Sequence, residues 1–250
     1  MLVEFTVGNY RSIREPQTLS MVAGKVVSKD KRLDEENVFD IQGVRLLKSA
    51  AIYGANSSGK SNFIKAIRCM RHLAGRFGLR RAADVSDRID VEPFLLDAAT
   101  PSQPSHFEAV FFAHDKQYRY GFDATPGQIV SEWLYHVPEQ RETLLFRRDG
   151  DQFELKGNFK KEGAGLQERT RPSGLFLPVV AEFNGPIAGE VIEWFVHVRV
   201  DSGLRDKDRS PVTERILDPQ RPNSDQRELV LNLLRRLNLG LLMSRLIVNK

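Results

Sequence analysis

Gly54-Ala55-Asn56-Ser57-Ser58-Gly59-Lys60-Ser61 satisfies the pattern G-x-x-x-x-G-K-[ST] at every fixed position. Residues of these types at this spacing suit a nucleoside triphosphate. The two glycines let the backbone curl so that successive N–H groups point inward on an anion. A helix starting near Gly59 adds unpaired first-turn amides and the positive end of its dipole. Lys60 supplies a point charge for the β- and γ-phosphates, and the Ser61 hydroxyl a ligand for Mg²⁺. The expected cofactors are ATP and Mg²⁺. Gly54, Ala55, Asn56, Ser57, Ser58, Gly59, Lys60, Ser61 and Asn62 would surround the phosphates, with Ser61 also on the metal.

Such a loop needs a strand before it and a helix after it. Upstream, residues 46–53 (Leu-Leu-Lys-Ser-Ala-Ala-Ile-Tyr) have the composition of a short buried strand. Downstream, residues 62–70 suit a helix, with Phe63, Ile64, Ile67 and Met70 recurring on one face. A chance match in a surface loop would lack these flanks.

The chain has 250 residues, enough for one good core with a satellite subdomain. With 41% apolar and 28% charged residues it has the composition of a globular protein rather than a disordered or membrane-embedded one. One cysteine, Cys69, excludes a disulfide framework and suits a reducing cytoplasm. No export signal opens the sequence, and no apolar run approaches the length of a membrane span. A net charge of +4 permits nucleic-acid contact without arguing for it.

Residues 1–13 alternate as a strand, and Gln17–Val22 form a second after the turn at Glu15-Pro16. Residues 23–42 have the polarity of a surface loop. The opening Glu4-Phe5-Thr6-Val7-Gly8-Asn9-Tyr10-Arg11-Ser12, followed by Ile52-Tyr53 and the glycine-rich loop, resembles the start of ABC-type ATPases of the RecF, SMC and OLD group. It resembles in particular the prokaryotic "AAA family ATPase" proteins linked to phage defence and retron-type systems. In that group the arginine of the Asn-aromatic-Arg-Ser turn lies beside the nucleotide phosphates. The resemblance carries this role to Arg11, with Asn9 and Ser12 as further candidates.

Lys65, Arg68, Arg71, His72, Arg76, Arg80 and Arg81 would form a basic helical face, either for nucleic-acid phosphates or simply for solvent. From about residue 91 to 155, short apolar and aromatic runs separated by turns predict an antiparallel meander. Pro93-Phe94-Leu95-Leu96, Tyr118-Arg119-Tyr120-Gly121 and Glu132-Trp133-Leu134 match segments of the resembled group there. The aromatic residues are simplest as core; a base-stacking platform is the alternative.

Residues 156–172 suit a loop or frayed element, 175–181 a helix or a strand, and 189–200 a helix turning into a strand. Residues 201–223 have the charge and proline content of a linker. Residues 224–240 suit a final amphipathic helix, with Ser224 as N-cap and Gly240 as stop.

A hydrolytic site of this kind also needs an aspartate at the end of a second buried strand and a carboxylate near the attacking water. No run of four apolar residues followed by Asp-Glu occurs. The nearest, Trp194–Asp201, is interrupted by His197 and Arg199. A Leu-Ser-Gly-Gly-type signature is also absent. The histidines at 72, 106, 114, 136 and 197 lack metal-like spacing, and no G-x-S-x-G motif occurs.

The expected fold is an α/β P-loop NTPase lobe of the ABC-ATPase type, occupying 1–200. It would carry a mixed sheet around the phosphate loop, an antiparallel β subdomain, and no C-terminal lobe. The resemblance implies an ATPase that couples nucleotide state to homodimerisation through the nucleotide site, with a nuclease or nucleic-acid partner and no membrane. A hydrolysis-deficient regulatory module and a P-loop kinase are the other readings, the kinase lacking a visible acceptor pocket.

Overall fold

Alternation of apolar and polar residues produces a sheet that is dry on one face. The computed structural model describes residues 1–24, 32, 36–75, 88–137, 141–200, 228 and 232. Strands β1 (Leu2–Gly8), β2 (Gln17–Ser20), β5 (Ser105–Ala113), β6 (Lys116–Ala124), β7 (Ile129–His136), β8 (Thr143–Asp149) and β9 (Gln152–Leu155) form one seven-stranded sheet, ordered β2-β1-β5-β6-β7-β8-β9. A second pair, β3 (Val38–Ile41) and β4 (Val44–Leu47), forms a hairpin. The helices are α1 (Lys60–Ala74), α2 (Phe159–Gly163), α3 (Phe176–Glu182) and α4 (Pro186–His197).

Phe5, Val7, Phe107, Phe111, Tyr118, Tyr120, Phe122, Leu134 and Phe146 belong to the main core, together with the buried faces of α1, α3 and α4. The opposite face is polar. On it Trp133 lies against Gly121, where an added Cβ would come within 2.5 Å of the indole. Glu108 accepts from Trp133 Nε1 (2.7 Å) and from Arg119 (3.0 Å), and Arg119 lies 4.2 Å from the Tyr135 ring centre. The aromatic residues therefore divide between the core and a polar face on which Glu108 is paired with Arg119 and Asp123 with His106.

Several expectations change. Every strand pairing among the described residues is antiparallel, so the parallel part of the expected mixed sheet is not among them. The expected antiparallel meander is β5–β9, and it continues the main sheet through the pairing of β5 with β1. The polar stretch 23–42 contains β3, whose hairpin turns at Gln42 (φ 52°) and Gly43 (φ 80°). Its apolar side joins Val3, Met21, Leu46 and Phe112 in a smaller core.

The strand expected over 46–53 stops at Leu47, and residues 49–58 are exposed. A central strand needs neighbours on both edges, and beyond the bond from the Lys48 amide to the Asn37 carbonyl no strand pairs with 49–53 among the described residues. Residues 156–172 contain α2. Residues 176–182 and 186–197 are helices, with no strand following at 198–200. The chain divides into two compact units, Met1–Arg199 and Val200–Lys250. The expected linker (201–223) and final helix (224–240) lie outside the described residues except for Glu228 and Asn232.

A polar cluster inside the core ties sheet to helix. Glu132 is fully buried on β7 and accepts from the backbone N–H groups of Phe176 (2.6 Å) and Leu177 (3.0 Å), and from the Tyr120 hydroxyl (2.9 Å). It thereby caps α3 from across the sheet. Burial raises the Glu132 carboxyl above its usual pKa, opposed by the two amides, Arg148 and Tyr120. Arg148, its register partner on β8, donates to the carbonyls of Gly150 (2.8 Å), Gly174 (2.6 Å) and Arg171 (3.3 Å). Glu132→Ala is expected to destabilise the protein by about 3 kcal/mol, since three buried donors lose their acceptor. Urea unfolding followed by circular dichroism measures this, and a change below about 1 kcal/mol would show that the donors find other partners.

Candidate nucleotide site

α1 forms because Phe63, Ala66, Met70, Leu73 and Ala74 recur at helical spacing and are buried, Phe63 edge-on against Phe5 with ring centres 5.4 Å apart. Its N-terminus is held by Gly59, whose left-handed backbone (φ 92°) aims its carbonyl at the amides of Asn62 (2.8 Å) and Phe63 (3.0 Å). No acidic residue occupies the first turn, so the dipole is left uncompensated. An added Cβ on Gly59 would come within 2.9 Å of the Ser12 hydroxyl, and one on Gly54 within 2.7 Å of the Ser58 hydroxyl. Gly59 is thus required by its left-handed backbone as well as by close approach, whereas at Gly54 a turn of the exposed Ser58 side chain would relieve the contact. Ser57 is also left-handed (φ 66°).

Lys60 Nζ donates to the carbonyls of Gly54 (2.7 Å) and Ala55 (2.6 Å), arching back over the loop that would receive phosphate. Gly54, Ala55, Asn56, Ser57 and Ser58 are exposed, as is Ser61. Asn62 does not point into the loop: its Nδ2 donates to Ser12 Oγ at 2.8 Å. A pocket of about 250 Å³ adjoins the loop, lined by Ile13, Thr18, Leu19, Ile52, Ser58, Lys60 and Phe63 among others.

The turn after β1 reaches this site through Ser12. The three candidate residues of the turn have different places. Asn9 (φ 46°) is buried and structural. Its Nδ2 donates to the carbonyls of Thr100, Gln103 and Pro104, and its Oδ1 accepts from Phe94 N–H. Ser12 contacts both Asn62 and the Gly59 position. Arg11 (φ 52°) belongs to the same turn, but its guanidinium contacts the Tyr10 hydroxyl (3.2 Å) and Glu92 (3.3 Å). Glu92 was not foreseeable, because its only sequence context is a short segment before Pro93.

Among the described residues no carboxylate is in hydrogen-bond or ion-pair contact with the loop. Trp194–His197 is the end of α4, which excludes it as the second buried strand, and Asp201 lies outside the described residues. Among the described residues no three His, Cys, Asp or Glu side chains are placed to hold a metal. The basic run is helical through His72, while Arg76, Arg80 and Arg81 lie outside the described residues. No described helix is long and apolar enough to cross a membrane.

A family profile described as "AAA domain, putative AbiEii toxin, Type IV TA system" matches residues 49–240. The chain belongs to this AAA-domain family. No curated protein matches it. As an AAA domain of the P-loop ATPase class it is an ATP-binding domain, and the matched span includes the whole glycine-rich loop. Nucleotide binding and its usual Mg²⁺ companion are implied by the family, and the open α1 terminus fits them.

Gly59→Ala places a methyl group in a left-handed position facing Ser12. It is expected to weaken Mg·ATP binding by about tenfold or more, with a stability loss of only about 1–2 kcal/mol. Titration with a fluorescent ATP analogue checks the first and thermal unfolding the second. Undiminished binding would remove the loop from the site.

Proposed function

We propose that this AAA domain is the nucleotide-binding lobe of an ATPase of the RecF, SMC and OLD type, which couples ATP binding to association with a second lobe. The observation that carries this reading is the exposed loop at an uncapped helix terminus, with Lys60 engaged only by loop carbonyls among its described partners. The exposed apolar stretch at Ala50–Tyr53 supports the association, because a strand-like segment before a phosphate loop lacks neighbours among the described residues. Homodimerisation through the nucleotide site would supply such contacts. The family's description as a putative toxin of a type IV system agrees with an effector role; a place in defence and a nuclease or nucleic-acid partner rest on the sequence resemblance.

A second reading has its own support. The segment that came nearest to a strand ending in aspartate, Trp194–Asp201, is helical over Trp194–His197, so a module that binds nucleotide and turns it over little is the alternative.

Both readings require Mg·ATP binding that depends on Lys60. Equilibrium dialysis with radiolabelled ATP is expected to show saturable binding to the wild-type chain, weakened by about a hundredfold in Lys60→Ala, equivalent to about 2.7 kcal/mol. Phosphate release should be negligible for both. Turnover that rises with protein concentration and vanishes in Lys60→Ala would instead assign a complete ATPase to this chain. No binding by the wild-type chain would contradict both.

A further inference from the structure

Asparagine readily bonds the free amides of a helix terminus, and α1 carries one in its first turn that does not. Asn62 is the third residue of α1, and its backbone amide bonds to the Gly59 carbonyl at 2.8 Å. From that position an Asn side chain can fold back so that its own carbonyl oxygen accepts from the unpaired amides of the turn. Those are the donors that an incoming anion needs. Yet no side chain caps α1, and both ends of the Asn62 amide are engaged elsewhere. Its Nδ2 donates to Ser12 Oγ at 2.8 Å, and its Oδ1 faces Lys65 Nζ at 3.5 Å.

Ser12 is presented by a rigid arm of the sheet. Its turn is closed around it, because Tyr10 and Ile13 exchange backbone bonds of 2.8 Å in both directions and the Asn9 amide donates to the Arg14 carbonyl at 3.0 Å. Tyr10 and Ile13 are both buried, and the Asn9 side chain pins the turn to residues 94–104 through four hydrogen bonds. Ser12 itself is exposed, so its hydroxyl fills no place in the core. That hydroxyl stands against the helix terminus, where a Cβ on Gly59 would meet it at 2.9 Å. Without it, the Asn62 side chain would keep only the long, exposed contact to Lys65 and would be free to take the local backbone amides that Asn favours.

We propose that Ser12 is a positioning residue that holds the Asn62 side chain off the α1 terminus and so keeps the first-turn amides open for phosphate. This rests on the nucleotide reading above. Ser12 acts not on the ligand but on an internal competitor for its place.

The test joins a double-mutant cycle to amide hydrogen exchange, both on the full chain. In calorimetric titration with Mg·ATP, Ser12→Ala is expected to bind about three- to tenfold more weakly than wild type, the range of one helix cap. In an Asn62→Ala background the same substitution should change nothing, because the competitor is gone. Exchange without nucleotide separates this role from that of a merely structural tether. In Ser12→Ala the amides of Lys60 and Ser61 should exchange more slowly than in wild type, since Asn62 now caps them, whereas a loosened loop would exchange faster. Thermal unfolding confirms that each variant is folded. Unchanged or tighter binding by Ser12→Ala would overturn the proposal, as would a loss that persists without Asn62, or faster exchange at Lys60 and Ser61. If the wild-type chain binds no Mg·ATP, the nucleotide reading itself falls, and the exchange comparison still decides whether Ser12 restrains Asn62.

Discussion

Phe63 packed edge-on against Phe5 ties the first turn of α1 to the first strand of the large sheet, with ring planes 87° apart. This contact decides where the phosphate loop is and which way it faces. Ala66, Met70, Leu73 and Ala74 continue the same buried stripe, so the helix axis is fixed by core packing rather than by its terminus. The loop before it remains exposed and makes few contacts of its own. The Asn62–Ser12 hydrogen bond adds a lateral tether from the turn after β1. A rigid platform thus presents a loop that can still close around a ligand.

The contrast among helix termini gives the site its chemical direction. Glu132 reaches across from β7 to cap α3. Glu162 does the same for α4, accepting from Ile187 and Ala188 within 3.3 Å. In both cases the protein supplies the anion that a helix N-terminus attracts. α1 has no such carboxylate, neither in its first turn nor as a side-chain cap. Among the described residues its amides, its dipole and Lys60 have no carboxylate partner. A nucleotide phosphate is the anion that fits this position.

What could be read from the sequence was what local chemistry determines. The loop and α1 were legible because glycine spacing, a lysine and a 3.6-residue apolar repeat lie within twenty residues of one another. The meander was legible from alternation and turns. The apolar run at 46–53 misled, because a strand is a property of its neighbours as much as of its own side chains. Asn9 was drawn into the site by its motif, but it serves the fold by bonding to carbonyls more than ninety positions later. In the sequence Glu132 stands out only as part of Glu132-Trp133-Leu134. Its role depends on helix α3, forty-four positions away, and no local pattern signals that. The hairpin at 38–47 was hidden by the charged residues around it, although Gln42-Gly43 carries the left-handed turn it needs.

The most direct measurement is amide hydrogen exchange over residues 54–63 with and without Mg·ATP. If the loop cradles phosphate, the amides of Gly59, Lys60 and Ser61 should become protected on adding nucleotide, while the α3 and α4 termini, already capped by Glu132 and Glu162, should stay unchanged. Equal exchange at Gly59, Lys60 and Ser61 in both conditions, at nucleotide concentrations in the millimolar range, would contradict the assignment of this loop as the nucleotide site.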